Sequence, residues 1–216
     1  MFLSPKFVKN FAMKKLVLLI IIFALAGLLA YKLFSHKEEP VAIKKDQPLT
    51  IGKNSGPFNT AFAAMMGDYY GVKDALVEWD SVKAGQQAQA LLMKVDSLPF
   101  KDMKADSSVI LTAQTIASGV SNETKGFIGE TTIDQKRREF AMITEQLYNL
   151  IRTVRYDGEI IYYDKCPMAF NDSEEAYWLT DNSKILNPYL GNKHPKYKQK
   201  MLGCGEITDS LNFAKK

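Results

Sequence analysis

"TIDQKRREFAMITEQLYNLIRTV", residues 132–154, carries two helix signals at once. Thr132 stands three residues before Gln135, the spacing of a capping box, in which a hydroxyl and a side-chain amide satisfy free N–H groups at a helix start. Beyond it Phe140, Ile143, Leu147, Leu150, Ile151 and Val154 recur at intervals of three and four, which places them on one helical face. The pattern stops at Tyr156-Asp157-Gly158. There the texture changes to "EIIYYDK", residues 159–165, rich in the β-branched and aromatic residues of a strand.

Upstream, three more segments repeat the helical pattern. From Pro57 onward, Phe58, Phe62, Met65, Met66, Tyr69, Val72, Leu76 and Trp79 mark one apolar face, weakened locally by Gly67 and Gly71. Asp80 and Ser81 suit the N-cap of a second helix with Ala84, Ala88, Leu91, Leu92 and Val95 inward. A loop at Leu98-Pro99-Phe100 leads to a third helix from Asp106 or Ser107, carrying Val109, Ala113, Ile116 and Val120. "SNETKGFIGE", residues 121–130, is expected to break it. The spacing therefore predicts a mainly α fold, an antiparallel four-helix bundle over residues 57–156. Methionines and aromatics on these faces read as core.

Downstream, "AYWLT" (176–180) is the natural partner of the first strand, with "NDSEE" (171–175) as the turn of a β-hairpin. "NPYLG" (187–191) reads as a tight turn and "NKHPKYKQK" (192–200) as a polar, basic loop. Residues 157–216 thus form a small hairpin-and-loop module, packed on the bundle as part of the same domain.

The net charge of +4 does not describe the domain. Lys6, Lys9, Lys14 and Lys15 precede the first acidic residue and account for the excess. No basic stripe of the kind that binds nucleic acid follows. The basic head, residues 1–15, runs into "LVLLIIIFALAGLLAY" at 16–31, an apolar run whose helix would rise about 24 Å. Leu33 and Phe34 extend it, and Lys15 and Lys32 can snorkel, so residues 16–34 are expected to span the bilayer. The other reading is a signal peptide cleaved after Ala24-Leu25-Ala26, although that site lies inside the apolar run. Either way the basic flank stays cytoplasmic and the remainder is exported. The expected location is a single-pass inner-membrane protein with its domain in the periplasm, or a periplasmic protein released by cleavage. Residues 35–56, polar and irregular, read as a flexible tether that carries a solvated His36.

The sequence has no G-x-S-x-G, H-E-x-x-H, phosphate loop, G-x-G-x-x-G or C-x-x-C, and only two histidines, His36 and His194. No enzymatic activity is expected. The C-terminal quarter differs: Cys166 and Met168 lie one residue apart around Pro167, and Met201 and Cys204 lie three apart. If the chain joins these pairs, two thiolates and two thioethers converge, with His194 as an optional fifth donor. Such ligands select soft ions, Cu(I) or Ag(I). An exported chain with two cysteines equally allows a Cys166–Cys204 disulfide. Closing so long a loop would stabilise the fold by roughly 3–4 kcal/mol. The residues alone leave both readings open.

"KCPMAF" (165–170), "AYWLTD" (176–181), "ILNPYLGNKHPKYKQKMLGCG" (185–205) and "DQKRREFAMITEQLYNLI" (134–151) together resemble a family classed as a domain of unknown function. That domain occurs in exported proteins and fused to periplasmic adaptor subunits of copper/silver-type heavy-metal efflux pumps. The resemblance spans about residues 58–211 and is strongest after Asp134. It implies soft-metal handling or efflux, with Cys166, Met168, Met201 and Cys204 as metal ligands; on that reading His194 is an optional fifth donor, and Trp178 and Tyr189 either wall the site or serve as ordinary packing. It also implies a heavy-metal efflux complex as partner. The chain lacks the adaptor's own hairpin and barrel, so a membrane-tethered accessory domain fits better than an adaptor. A non-catalytic envelope interaction module stapled by Cys166–Cys204 remains the alternative.

Overall fold

A computed structural model of the chain describes residues 54–214. The expected membrane anchor at 16–34, His36 and nearly all of the tether lie outside the described residues. Among the described residues, no helix is long and apolar enough to cross a membrane.

Four helices come first: α1 (Gly56–Val77), α2 (Ser81–Asp96), α3 (Ser107–Gly129) and α4 (Ile133–Val154). Each start has a local cause. Ser55 caps α1 by accepting from the Phe58 N–H, and Asp80 caps α2 by accepting from Lys83 N–H at 2.8 Å. Thr132 accepts from Gln135 N–H, while its own hydroxyl donates to Gln135 Oε1 at 2.7 Å. The side-chain arm of the expected capping box therefore closes on the hydroxyl of Thr132. At the far end of α4, Arg155 adopts the left-handed conformation at φ 49° and stops the helix.

The break expected at 121–130 does not occur. α3 runs through it to Gly129, because Val120, Thr124 and Phe127 continue the buried face at helical spacing. Thr124 loses no polar partner by burial: its Oγ1 donates to the Val120 carbonyl at 2.7 Å. Consecutive helices pack on one another, and Phe58, Phe62, Met65, Met66, Tyr69, Leu91, Phe127, Phe140 and Leu147 are fully buried between them.

The C-terminal module contains one strand more than the expected hairpin. β1 (Ile161–Phe170), β2 (Glu174–Thr180) and β3 (Glu206–Leu211) form an antiparallel sheet in the order β2-β1-β3. Asn171 and Asp172, both at positive φ, make the turn between β1 and β2. β1 is longer than its apolar signal and takes in "CPMAF". Its register against β2 slips between Cys166 and Phe170, where Pro167 has no N–H to give the ladder.

The sheet and helices share one continuous core. The outer edge of β2 is closed by side chains, since the Tyr69 hydroxyl of α1 accepts from Leu179 N–H at 3.0 Å. The Tyr189 hydroxyl donates to the Tyr177 carbonyl on the same edge. Residues 187–193 are clasped to the end of α1. Arg137, buried and stacked 4.0 Å over the Trp79 ring, donates to the carbonyls of Pro188 and Leu76, and Asn192 N–H donates to Val77 at 2.8 Å. Gly191 at φ 60° is required there, because a Cβ would stand 2.6 Å from the Val77 carbonyl oxygen.

Candidate metal centre

The pairing of β1 with β3 sets Lys165 opposite Glu206. In an antiparallel ladder, the residues just before Glu206 therefore lie beside the residues just after Lys165. That register brings Cys204 to Cys166: their sulfurs are 4.0 Å apart, and both thiols are free. A disulfide bond is about 2.05 Å long, so these sulfurs are neighbours without being bonded.

The two thiols differ in setting. Cys166 lies fully buried in the central strand, opposite Ala176, whereas Cys204 is half-buried on the loop that leads into β3. Burial pushes the Cys166 thiol up to about 11, against the pull of the Met168 backbone N–H and the Asn187 side chain; the adjoining Cys204 pushes it further up.

Loop 201–205 is held from several sides. Cys204 N–H donates to the Met201 carbonyl at 3.0 Å, a turn that joins the two residues of the C-terminal sulfur pair. Gly205, at φ 149°, lies where a Cβ would stand 2.7 Å from the Trp178 ring and 2.8 Å from the Lys165 carbonyl oxygen. Only glycine lets the loop approach so closely. Asn187, fully buried, donates from Nδ2 to the Cys204 carbonyl at 2.7 Å, and its backbone N–H donates to the Leu202 carbonyl at 2.9 Å.

Met168 and Met201 are half-buried and pack against the same core as the thiols. Trp178 and Tyr189 are buried and meet edge to face at 6.2 Å, with Trp178 directly against Gly205. His194 is placed elsewhere. Its ring stacks on Tyr197 at 5.0 Å and meets the Trp79 edge at 5.8 Å, and its Nδ1 accepts from the N–H groups of Lys196 and Tyr197. Burial, then the nearby Arg137, lowers its pKa. Among the described residues no three His, Cys, Asp or Glu side chains gather as donors, so His194 does not join the thiol pair as a third.

Two polar residues of this region were not singled out by sequence. Asp164, in the strand two residues before Cys166, is fully buried, and neither carboxylate oxygen has a hydrogen-bond partner. Burial raises it to about 6, opposed by the Lys73 ammonium. Its only signal was a lone acid inside "IIYYDK". Asn187 was legible as a turn residue of "NPYLG", but not as the brace of the cysteine loop.

A metal–thiolate bond is about 2.3 Å, so the two sulfurs held by one ion stand at most about 4.6 Å apart. The 4.0 Å gap fits. A structural zinc site, which takes four N, S or O donors, is not matched by the donors assembled here.

No curated protein and no solved structure matches the chain. The sulfur motifs at 165–170 and 201–205 lie beyond the span that a family model matches. Residues 65–157 match the family described as "Protein of unknown function (DUF3347)", which identifies a domain of unknown function over most of the helical region.

Proposed function

We propose that Cys166 and Cys204 bind a soft monovalent ion, Cu(I) or Ag(I), with the thioethers of Met168 and Met201 as further donors. The reading rests on one observation: two unbonded thiol sulfurs 4.0 Å apart, one of them walled into the core. Two thiolates supply the charge and softness such an ion prefers, and thioethers add soft donors without charge. The apolar surroundings limit water and oxidant access. No chemistry is performed on the ion; the chain holds it.

Binding must displace the Cys166 proton, which burial holds tightly, so affinity falls as pH falls. Each unit of pH lost near neutrality costs about tenfold from this thiol alone. The role that follows is metal handling or efflux by a membrane-anchored periplasmic domain, with a heavy-metal efflux complex as partner. The anchor and the location rest on the sequence of residues 1–34.

The test is competition with a Cu(I) chelator of known affinity. Cys204→Ser should abolish tight binding. Met168→Leu combined with Met201→Leu should weaken it by tenfold or more, about 1.4 kcal/mol, with a nearly unchanged melting temperature. Unaltered affinity in the double variant would remove the thioethers from the site. The second reading, a disulfide-stapled interaction module, draws on the same proximity, because side-chain rotation could close the gap. Free-thiol counting on protein from an oxidising compartment separates the two.

A further inference from the structure

"NPYLG" entered the sequence as a turn, yet its first residue does more than turn the chain. Asn187 is fully buried, and all of its polar groups are engaged. Oδ1 accepts from the N–H groups of Tyr189 at 2.9 Å and Leu190 at 3.0 Å, which fixes the orientation of the carboxamide. With the oxygen so held, the Nδ2 hydrogens face the cysteine loop, where one is given to the Cys204 carbonyl at 2.7 Å. The backbone N–H reaches the same loop at the Leu202 carbonyl, 2.9 Å away. One residue therefore grips loop 201–205 at two points, two residues apart, while the Asn187 carbonyl accepts from Gly191 N–H at 2.9 Å, which ties Asn187 into the turn clasped on α1.

We infer that Asn187 is the positioning residue of the thiol pair: its carboxamide holds the Cys204 loop at a separation from β1 that favours two free sulfurs over a disulfide. Cys166 is fixed by the central strand, so the backbone separation of the pair, within which the side chains rotate, is set by where the loop of Cys204 is pinned: by the β3 register on one side and by Asn187 on the other. The bonds that pin it from the outside converge on Asn187. Removing the Nδ2 donor frees the Cys204 carbonyl, lets the loop relax towards β1 and shifts the pair towards the disulfide.

The inference rests on the metal reading only for its binding arm. Asn187→Asp separates fold from positioning, because a carboxylate keeps the acceptor for Tyr189 and Leu190 but has no hydrogen for Cys204. In the detergent-solubilised full chain, we expect the dithiol–disulfide equilibrium of Asn187→Asp, poised in a glutathione redox buffer, to move about tenfold towards the disulfide, a potential about 30 mV more reducing. Cu(I) affinity, measured against a chelator on reduced protein, should fall by about tenfold or more. Asn187→Gln, which retains a donor on a longer arm, should recover part of either effect. If the wild type binds no Cu(I), the metal reading falls and the redox shift alone decides the inference. A potential in Asn187→Asp equal to the wild type's, with melting temperature preserved, overturns it. If Asn187→Asp does not fold, Asn187→Ser, which keeps a short acceptor and loses the Cys204 contact, is held to the same potential criterion.

Discussion

Asp164 is the residue most at odds with its surroundings: a carboxyl in the middle of the central strand, fully buried, with neither oxygen hydrogen-bonded. An ionised carboxylate there has lost its water without full compensation, so the proton is retained up to about pH 6 instead of 3.8. Between those values the folded chain binds a proton that the unfolded chain has released. Stability contributed by this group is therefore complete below the ordinary carboxyl range and is lost as pH rises through about 6. The expected loss is roughly 2–3 kcal/mol across the window. Asp164→Asn, a neutral isostere of the protonated acid, should flatten that dependence and raise stability at pH 7. Urea unfolding at intervals from pH 4 to 7 checks it, and a variant that keeps the full wild-type slope would contradict it. The sequence displayed the acid among apolar neighbours but not its lack of partners, since those depend on which elements cover the strand.

At the scale of elements, the sheet is completed by residues far away in sequence. Tyr69 of α1 is fully buried, and its hydroxyl lies 2.7 Å from Thr144 Oγ1 of α4 while accepting from Leu179 N–H of β2. Tyr69→Phe keeps the ring stacked on Phe140 but orphans a buried N–H at a strand edge, which should cost about 1–3 kcal/mol in chemical denaturation. Gly205→Ala should cost about 1–3 kcal/mol by overpacking, because its Cβ would meet a carbonyl oxygen and an indole at once. Differential scanning calorimetry reads both, and an unchanged melting temperature in either variant would refute the corresponding contact. The four helices were legible because their buried residues obey one period over many turns. The hairpin was legible because "IIYYDK" and "AYWLT" flank turn residues. β3 was not, for a physical reason: as the open edge strand it buries little beyond Leu211, so "EITDSL" carries no strong apolar alternation. The polar letters of 121–126 misled for the opposite reason, since three buried residues at helical spacing outweigh the exposed ones between them.

For the molecule as a whole, the helical part matches a family of unknown function, and the thiol pair sits in the three-stranded module that follows it. Cys166, Met168, Met201 and Cys204 were visible as candidate donors, and closure of the two cysteines on each other was readable as a possibility. The unbonded separation, the role of Asn187 and the removal of His194 to the Trp79 side were not, because each depends on the β1–β3 register and on the clasp over α1. The most direct test of the central claim is metal content and thiol state together, on full chain purified without reductant and exposed to Cu(I). The account predicts about one copper per chain, with Cys166 and Cys204 shielded from alkylation until a chelator removes the ion. A Cys166–Cys204 disulfide that persists in the presence of Cu(I), with no copper retained, would contradict it.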